Sequence, residues 1–409
     1  MYVQRCRICG SSKLTMFLDL GFTPPADQFK RKDQLTEEEI YYPLRACICE
    51  ECSLVQLNYI VSPEILYRND YPYESSITQA GRKHWESFAE KVVSRFSLGK
   101  NDLVVDIGSN VGVLLEAFKN RGVKIQGVDP AANIVLLAEK RGINTVCDLF
   151  NRGVVEKILG NLGDASVITA TNNFAHIDDL AKYMENVRML LTDDGIFILE
   201  APYLVSLINQ LEYDTIYHEH LSYLSVKPLV PFFKKFQMEI FDVEQVDIHG
   251  GSFRVFVGHE GQKEVSDIVE KMVSEEENMG LYSFEKLREF SEKVKQNKKE
   301  LQNLLFSLKN EGKTIVGVSA PAKGMTLLNY CGIDKDMLDV ITEKSELKIG
   351  RFSPGKHIPI VPDSYLLDNQ PDYVLLLAWN FAEEIINNLN EYKQRGGKFI
   401  IPIPVPRIV

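Results

Sequence analysis

Residues 104–112 read Val-Val-Asp-Ile-Gly-Ser-Asn-Val-Gly, and this short stretch decides the fold. Strand-forming residues run into a turn of small ones, and a helix, Leu-Leu-Glu-Ala-Phe-Lys at 114–119, follows. Gly108 and Gly112 carry no Cβ, so a ligand can lie close against the backbone at the end of a strand. The next strand ends in Asp129, about 20 residues on, where a carboxylate can accept both hydroxyls of a ribose. A dinucleotide phosphate site calls for a third glycine in the loop, and position 113 is Val. The loop therefore reads as a nucleoside site of the S-adenosylmethionine type, with Asp106, Gly108, Asn110, Gly112 and Asp129 as candidate contacts.

Outward from this loop, further short apolar runs at 124–129, 166–170 and 196–200 alternate with helical segments. That alternation predicts a parallel sheet with helices on both faces. Asn172 and Asn173 follow the run 166–170, where a bound cofactor meets its substrate. Residues 236–258 read as two more strands joined through Asp-Ile-His-Gly-Gly, and 262–311 as one long helical region. Strand patterns return at 314–319, 337–341, 373–377 and 399–402, which predicts a second, smaller α/β unit.

The chain of 409 residues is long enough for two or three cores. Its longest apolar runs, such as 373–379, fall short of a membrane span, and residues 1–9 lack the apolar stretch of a secretory signal. A cytoplasmic, reducing location is expected, with no membrane partner, and the seven cysteines are then not disulfides. A formal charge of -11 argues against nucleic acid as a partner. Cys6 and Cys9 form one C-x-x-C and Cys49 and Cys52 another, a ligand set for a closed, structural Zn²⁺. Residues 1 to about 60 otherwise look like a small module stapled by that metal rather than by a core of its own.

Three of the seven histidines lie in Tyr-His-Glu-His-Leu-Ser-Tyr at 217–223 and Ile-His-Gly-Gly at 248–251. In a helical turn Tyr217 and His220 share a face, whereas in a strand Tyr217 sides with Glu219; the turn is favoured. Methylating a carbon beside a ketone needs a base for the proton and a donor for the enolate oxygen, and a His with a Tyr supplies both. His176, in Asn-Asn-Phe-Ala-His at 172–176, sits where cofactor and substrate would meet.

These motifs, together with Gly-Phe-Thr-Pro-Pro-Ala-Asp-Gln-Phe at 21–29, residues 320–332, Gly-Arg-Phe-Ser-Pro-Gly-Lys-His-Ile-Pro at 350–359 and Ala-Trp-Asn-Phe-Ala-Glu-Glu at 378–384, run nearly end to end. In this order the chain resembles the sugar C-methyltransferases of deoxysugar biosynthesis, which build 3-C-methyl branches on nucleotide-linked sugars. The resemblance implies an α/β chain in three parts: a zinc-binding module at 1–65, a central Rossmann-like S-adenosylmethionine domain at 66–260 and a carboxyl-terminal Rossmann-like domain at 261–409 that helps bind the nucleotide sugar. It implies that His220 removes the sugar proton, with Tyr217, Glu219, His176 and Tyr71 around the reacting ring. His218, His249, Lys323 and Asn329 are the expected substrate contacts, Lys323 toward a phosphate. The expected substrate is a dTDP- or GDP-linked 4-keto sugar. Val111 and Met325 depart from the family pattern, where Asp and Asn are usual. The rival readings are O- or N-methyl transfer on the same substrate class, and a non-catalytic zinc-containing binding protein.

Overall fold

Period-two apolar residues on successive strands build the centre of the molecule. A computed structural model describes residues 1–67, 71–75, 79–248 and 250–409. At the amino end β1 (Leu14–Thr23), β2 (Tyr42–Cys49) and β3 (Val55–Leu57) form an antiparallel meander. Then β4 (Leu103–Ile107), β5 (Lys124–Val128), β6 (Thr145–Val146), β7 (Ala165–Thr171) and β8 (Leu191–Pro202) pair in parallel. A two-residue strand, β9 (Ser222–Tyr223), returns to pair with β3, so the chain before β10 (Met238–Val246) and β11 (Ser252–His259) is stitched to the amino-terminal sheet. β10 and β11 complete the central sheet antiparallel, in the order β10-β11-β8-β7-β4-β5-β6. Val104, Val167, Ile196 and Ile198 pack on one face of it, and Val105, Ile168, Phe197 and Leu199 on the other.

The third sheet contains β12 (Ile315–Val318), β13 (Ile341–Glu343), β14 (Ile360–Pro362), β15 (Tyr373–Leu376), β16 (Lys398–Ile401) and β17 (Arg407–Ile408), in the order β14-β13-β12-β15-β16-β17. All but the β16–β17 pair run parallel.

Three expectations need correction. The helical region is two helices, Asp267–Asn278 and Phe284–Asn310, because Gly280 turns left-handed and Ser283 caps the second. The run 337–341 is mostly turn: Asp334 accepts the amides of Asp336, Met337 and Leu338, and the strand begins at Ile341. The amino-terminal module has a substantial apolar face of its own. Leu18, Leu20, Leu44, Ala46 and Leu57 share one core with the helix Phe284–Asn310, whose Leu287, Phe290, Val294, Leu301 and Leu305 recur at helical spacing. Among the described residues, no helix is long and apolar enough to cross a membrane.

Candidate functional site

The four cysteines converge. The sulfurs of Cys6, Cys9, Cys49 and Cys52 all lie within 4.8 Å of one another, and Cys47 stands outside this group. Without a cation the four thiols cannot ionise together. The Cys52 thiol, with burial opposing it, holds Cys6 down to about 5, whereas burial pushes Cys49 up to about 11. Four thiolates at this spacing suit a tetrahedral Zn²⁺ with no open position, and Cys6 and Cys49 belong to the core on one face of the central sheet. A zinc held there joins that core to the amino-terminal sheet.

The glycine loop closes at the end of β4. Gly108 and Gly112 have φ of +75° and +78°, and a Cβ on Gly108 would fall 2.6 Å from Asn173 Nδ2. Asp129 Oδ2 accepts the Asn110 amide at 2.9 Å and Oδ1 that of Ala131 at 2.9 Å, leaving each oxygen a further lone pair. The buried Ser109 hydroxyl has no partner among the described residues. Asn110 also reaches up: its side chain accepts from Ser75 N at 2.8 Å and donates to the Tyr73 carbonyl at 3.1 Å, while Asn133 pairs with the backbone of Tyr71. Residues 71–75 are thereby laid over the loop. Asn172, at φ +52°, donates its amide to the Glu200 carbonyl at the end of β8. Asp106 is turned inward, accepting from Thr169 at 2.6 Å, with burial pushing it up to about 7 against that hydrogen bond. Glycines in left-handed geometry, an acid at the end of β5 and asparagines at the end of β7 fit a bound nucleoside.

Beside this loop lies a cluster of aromatic and acidic groups. The turn at 217–220 forms as expected, with the His220 amide on the Tyr217 carbonyl, and it brings Tyr217 Oη to 2.8 Å from His220 Nε2. His220 Nδ1 lies 2.8 Å from the Thr215 carbonyl oxygen, which can only accept, so the ring proton sits on Nδ1 and Nε2 bears the lone pair. The His176 ring is 5.0 Å from that of His220. Tyr67 Oη contacts His176 Nδ1 at 3.0 Å, while the buried His176 Nε2 has no partner among the described residues. Burial, with His220 adding to it, holds His176 well below the ordinary imidazole range and hence neutral. Tyr71 donates to Glu219 Oε2 at 3.0 Å, and Glu219 Oε1 has no partner among the described residues. Burial, followed by the Asp27 carboxyl, drives Glu219 well above the usual carboxylate range.

Comparison with known proteins decides the family. Residues 6–67 match a zinc binding domain family, 82–243 a methyltransferase domain family and 247–404 the C-methyltransferase C-terminal domain family. C-methyltransferase NovU of Streptomyces niveus is 35% identical over 408 residues, 100% of this chain and 97% of that one. The chain belongs to the C-methyltransferase family. It is an S-adenosylmethionine-dependent enzyme with an amino-terminal zinc-binding region. Among solved structures, an S-adenosylmethionine-dependent methyltransferase from Clostridium acetobutylicum is similar at 18% identity and TM-score 0.35, over 44% of this chain and 92% of that one. The plantazolicin methyltransferase BpumL in complex with SAH is similar at 14% identity and TM-score 0.36, over 44% and 86%.

In this C-methyltransferase the other expected substrate contacts that are described, His218, Asn329 and Lys323, pack against other side chains or backbone. His218 is buried edge-on against Tyr42, 5.9 Å between rings, and burial lowers it to about 4. His249 lies outside the described residues. Asn329 gives both amide protons to the Met325 and Pro354 carbonyls, pinning 350–359 to its helix. Lys323 leans on Asp214 at 3.8 Å and sits 4.2 Å over the Trp379 ring. Val111 and Met325 are both fully buried, so neither departure faces an open cleft. Sequence reading missed Tyr67, Asp27 and Lys348. Asp27 is buried 3.9 Å from Lys348 Nζ, which itself donates to the Ala320 carbonyl. The only signal for Asp27 was its place in the 21–29 motif, and nothing in the sequence marked Lys348.

Proposed function

We propose that this C-methyltransferase acts on a nucleotide-linked 4-keto deoxysugar, at C3, through an enolate. The observation that carries the reading is the Tyr217–His220 pair, with the Nδ1 proton on the Thr215 carbonyl and the Nε2 lone pair turned toward the Tyr217 hydroxyl.

A proton beside a ketone passes to His220 Nε2, and its electron pair moves into the enolate. The Tyr217 hydroxyl that caps Nε2 in the free protein is within reach to turn and donate to the ketone oxygen as substrate enters. His176 offers a second donor in the tautomer where Tyr67 donates to Nδ1: Nε2 then carries a hydrogen that meets no acceptor among the described residues. S-adenosylmethionine, when bound, supplies an electrophilic methyl whose departure from sulfur leaves a neutral thioether and needs no acid. Alignment is then the main task, and residues 71–75, clamped by Asn110 and Asn133, shield the site from water. Glu219, which burial favours in its protonated form, and Asp27 supply polar groups for the sugar's substituents.

The substrate reading is tested with S-adenosylmethionine carrying a ¹³C methyl and a panel of dTDP- and GDP-linked sugars, with and without a 4-keto group. The expected product has the label on ring carbon and forms only from keto sugars. Label on oxygen or nitrogen, or equal turnover of sugars lacking the ketone, would refute it.

A further inference from the structure

The turn that aims His220 is held from the carboxyl-terminal sheet. Residues Tyr213–Thr215 form a single 3-10 turn with no side-chain cap. Tyr213 donates to Asn297 at 2.7 Å, and Asn297 in turn donates to the carbonyls of Pro402 and Pro404. Asp214 is completely buried, and its Oδ2 accepts from Trp379 Nε1 at 2.7 Å. Among the described residues its Oδ1 has no hydrogen-bond partner but faces Lys323 Nζ at 3.8 Å, and that ammonium also lacks one while lying over the Trp379 ring. A third buried oxygen, Glu212 Oε1, lies nearby with no hydrogen-bond partner among the described residues, and a Cβ on Gly250 would fall 2.0 Å from it.

Lys323 is therefore flanked by acids, a poor setting for a diphosphate. Asp214 Oδ1 already faces the ammonium, and a second polyanion would bring phosphate oxygens against a buried carboxylate. The residue after Asp214 is Thr215, whose carbonyl takes the Nδ1 proton of His220. Moving Asp214 moves that carbonyl.

We infer that Lys323 is a positioning residue: by seating Asp214 against Trp379 it fixes the Thr215 carbonyl, and so holds His220 in the Nδ1–H form with Nε2 toward substrate. The inference rests on His220 being the base in the proposed reaction. Burial pushes the Asp214 carboxyl upward, and Lys323 is the largest influence opposing it. The carboxyl-terminal half thereby acts on the chemistry without touching the reacting carbon.

The test uses Lys323→Met, Lys323→Arg and Trp379→Phe in the full chain, with two readouts. In steady-state assays on the keto-sugar substrate, Lys323→Met is expected to lower kcat roughly 10–100-fold, the scale of a misplaced catalytic group, with KM for the nucleotide sugar little changed. Lys323→Arg should recover a large part of that loss. In ¹⁵N-histidine NMR of the substrate-free protein, the His220 signal, assigned by its loss in His220→Asn, should show the Nδ1–H form in wild type and a mixture of tautomers in Lys323→Met. A raised KM with kcat retained would make Lys323 a substrate contact and overturn the inference. So would an unchanged His220 signal, or failure of Lys323→Arg to rescue. If Lys323→Met does not fold, Trp379→Phe is read for the same tautomer change. Should wild type turn over no keto sugar, the substrate reading fails while the NMR comparison still decides the role of Lys323.

Discussion

Replacing Arg254 by Met should loosen the central sheet beside the cofactor loop by about 3 kcal/mol, the lower end of what breaking a buried ion pair costs. Arg254 on β11 is almost fully buried and gives Nε and Nη2 to Glu200 Oε2 on β8 at 2.9 and 2.7 Å. The other oxygen, Oε1, takes His84 Nε2 at 2.6 Å, and the guanidinium lies 3.8 Å from the centre of the Phe88 ring. Burial alone raises Glu200, but the His84 hydrogen bond and Arg254 outweigh it and hold the carboxyl below its ordinary value. Met keeps much of the contact with Phe88, and His84 keeps one bond on Glu200, which is why the lower figure applies. Because the folded-state pKa is depressed, the stabilisation is present above the ordinary glutamate value of about 4.3 and is lost as pH falls through the folded pKa. In the variant, burial acts less opposed, so the gap from wild type should be widest near neutral pH and shrink toward acid. Trp85, 4.6 Å from the His84 ring, reports this region, and Trp379 is the one other tryptophan. Urea unfolding followed by Trp85 fluorescence in a Trp379→Phe background should show a midpoint lower by on the order of 1–3 M, given slopes of about 1–3 kcal/mol/M. Glu200→Met added to Arg254→Met should recover part of the loss, since it removes the stranded charge. A midpoint shift under about 0.3 M, or a double variant weaker than the single one, would refute the reasoning.

Zinc should copurify with the chain, and strong chelation or Cys49→Ser should lower the melting temperature and raise protease cleavage within residues 6–67; an intact fold with no metal by atomic emission would count against a structural site. Gly108→Ala should weaken S-adenosylmethionine binding about 10-fold by calorimetry, because a left-handed alanine costs about 1–2 kcal/mol and its Cβ would press on Asn173. Unchanged affinity would mean that the loop does not hold the nucleoside. Tyr67→Phe removes the hydroxyl on His176 Nδ1 and should lower kcat about 10-fold with cofactor affinity intact, and a kcat equal to wild type would remove His176 from the set of enolate donors.

Much of the fold was legible because buried parallel strands advertise themselves as short apolar runs, as at 104–106 and 166–170. The 337–341 run misled for the same reason: Leu338 and Val340 are buried, yet Asp334 gathers the neighbouring amides into a turn. The amino-terminal core was hidden because its apolar face is completed by the helix Phe284–Asn310, more than 200 residues away in sequence. In the candidate site, Tyr217 and His220 could be paired from local spacing alone. Tyr67, Asp27 and Lys348 reach the cluster from three separate segments, and no local pattern announces such a meeting. Asp106 and Asn329 look in sequence like polar groups awaiting a ligand; their hydrogen bonds to Thr169 and to the Met325 and Pro354 carbonyls appear only once the strands and loops are placed.

The most direct measurement is deuterium exchange without methyl donor: the substrate keto sugar in deuterated water, with wild type and with His220→Ala, followed at each ring position by NMR. Wild type is expected to wash out the proton at C3, next to the ketone, at a rate comparable to or above turnover. His220→Ala should leave that proton in place while binding S-adenosylmethionine as wild type does. Exchange by His220→Ala at the wild-type rate, or methyl transfer by wild type with no exchange at any carbon beside the ketone, would contradict deprotonation by His220 ahead of methyl capture.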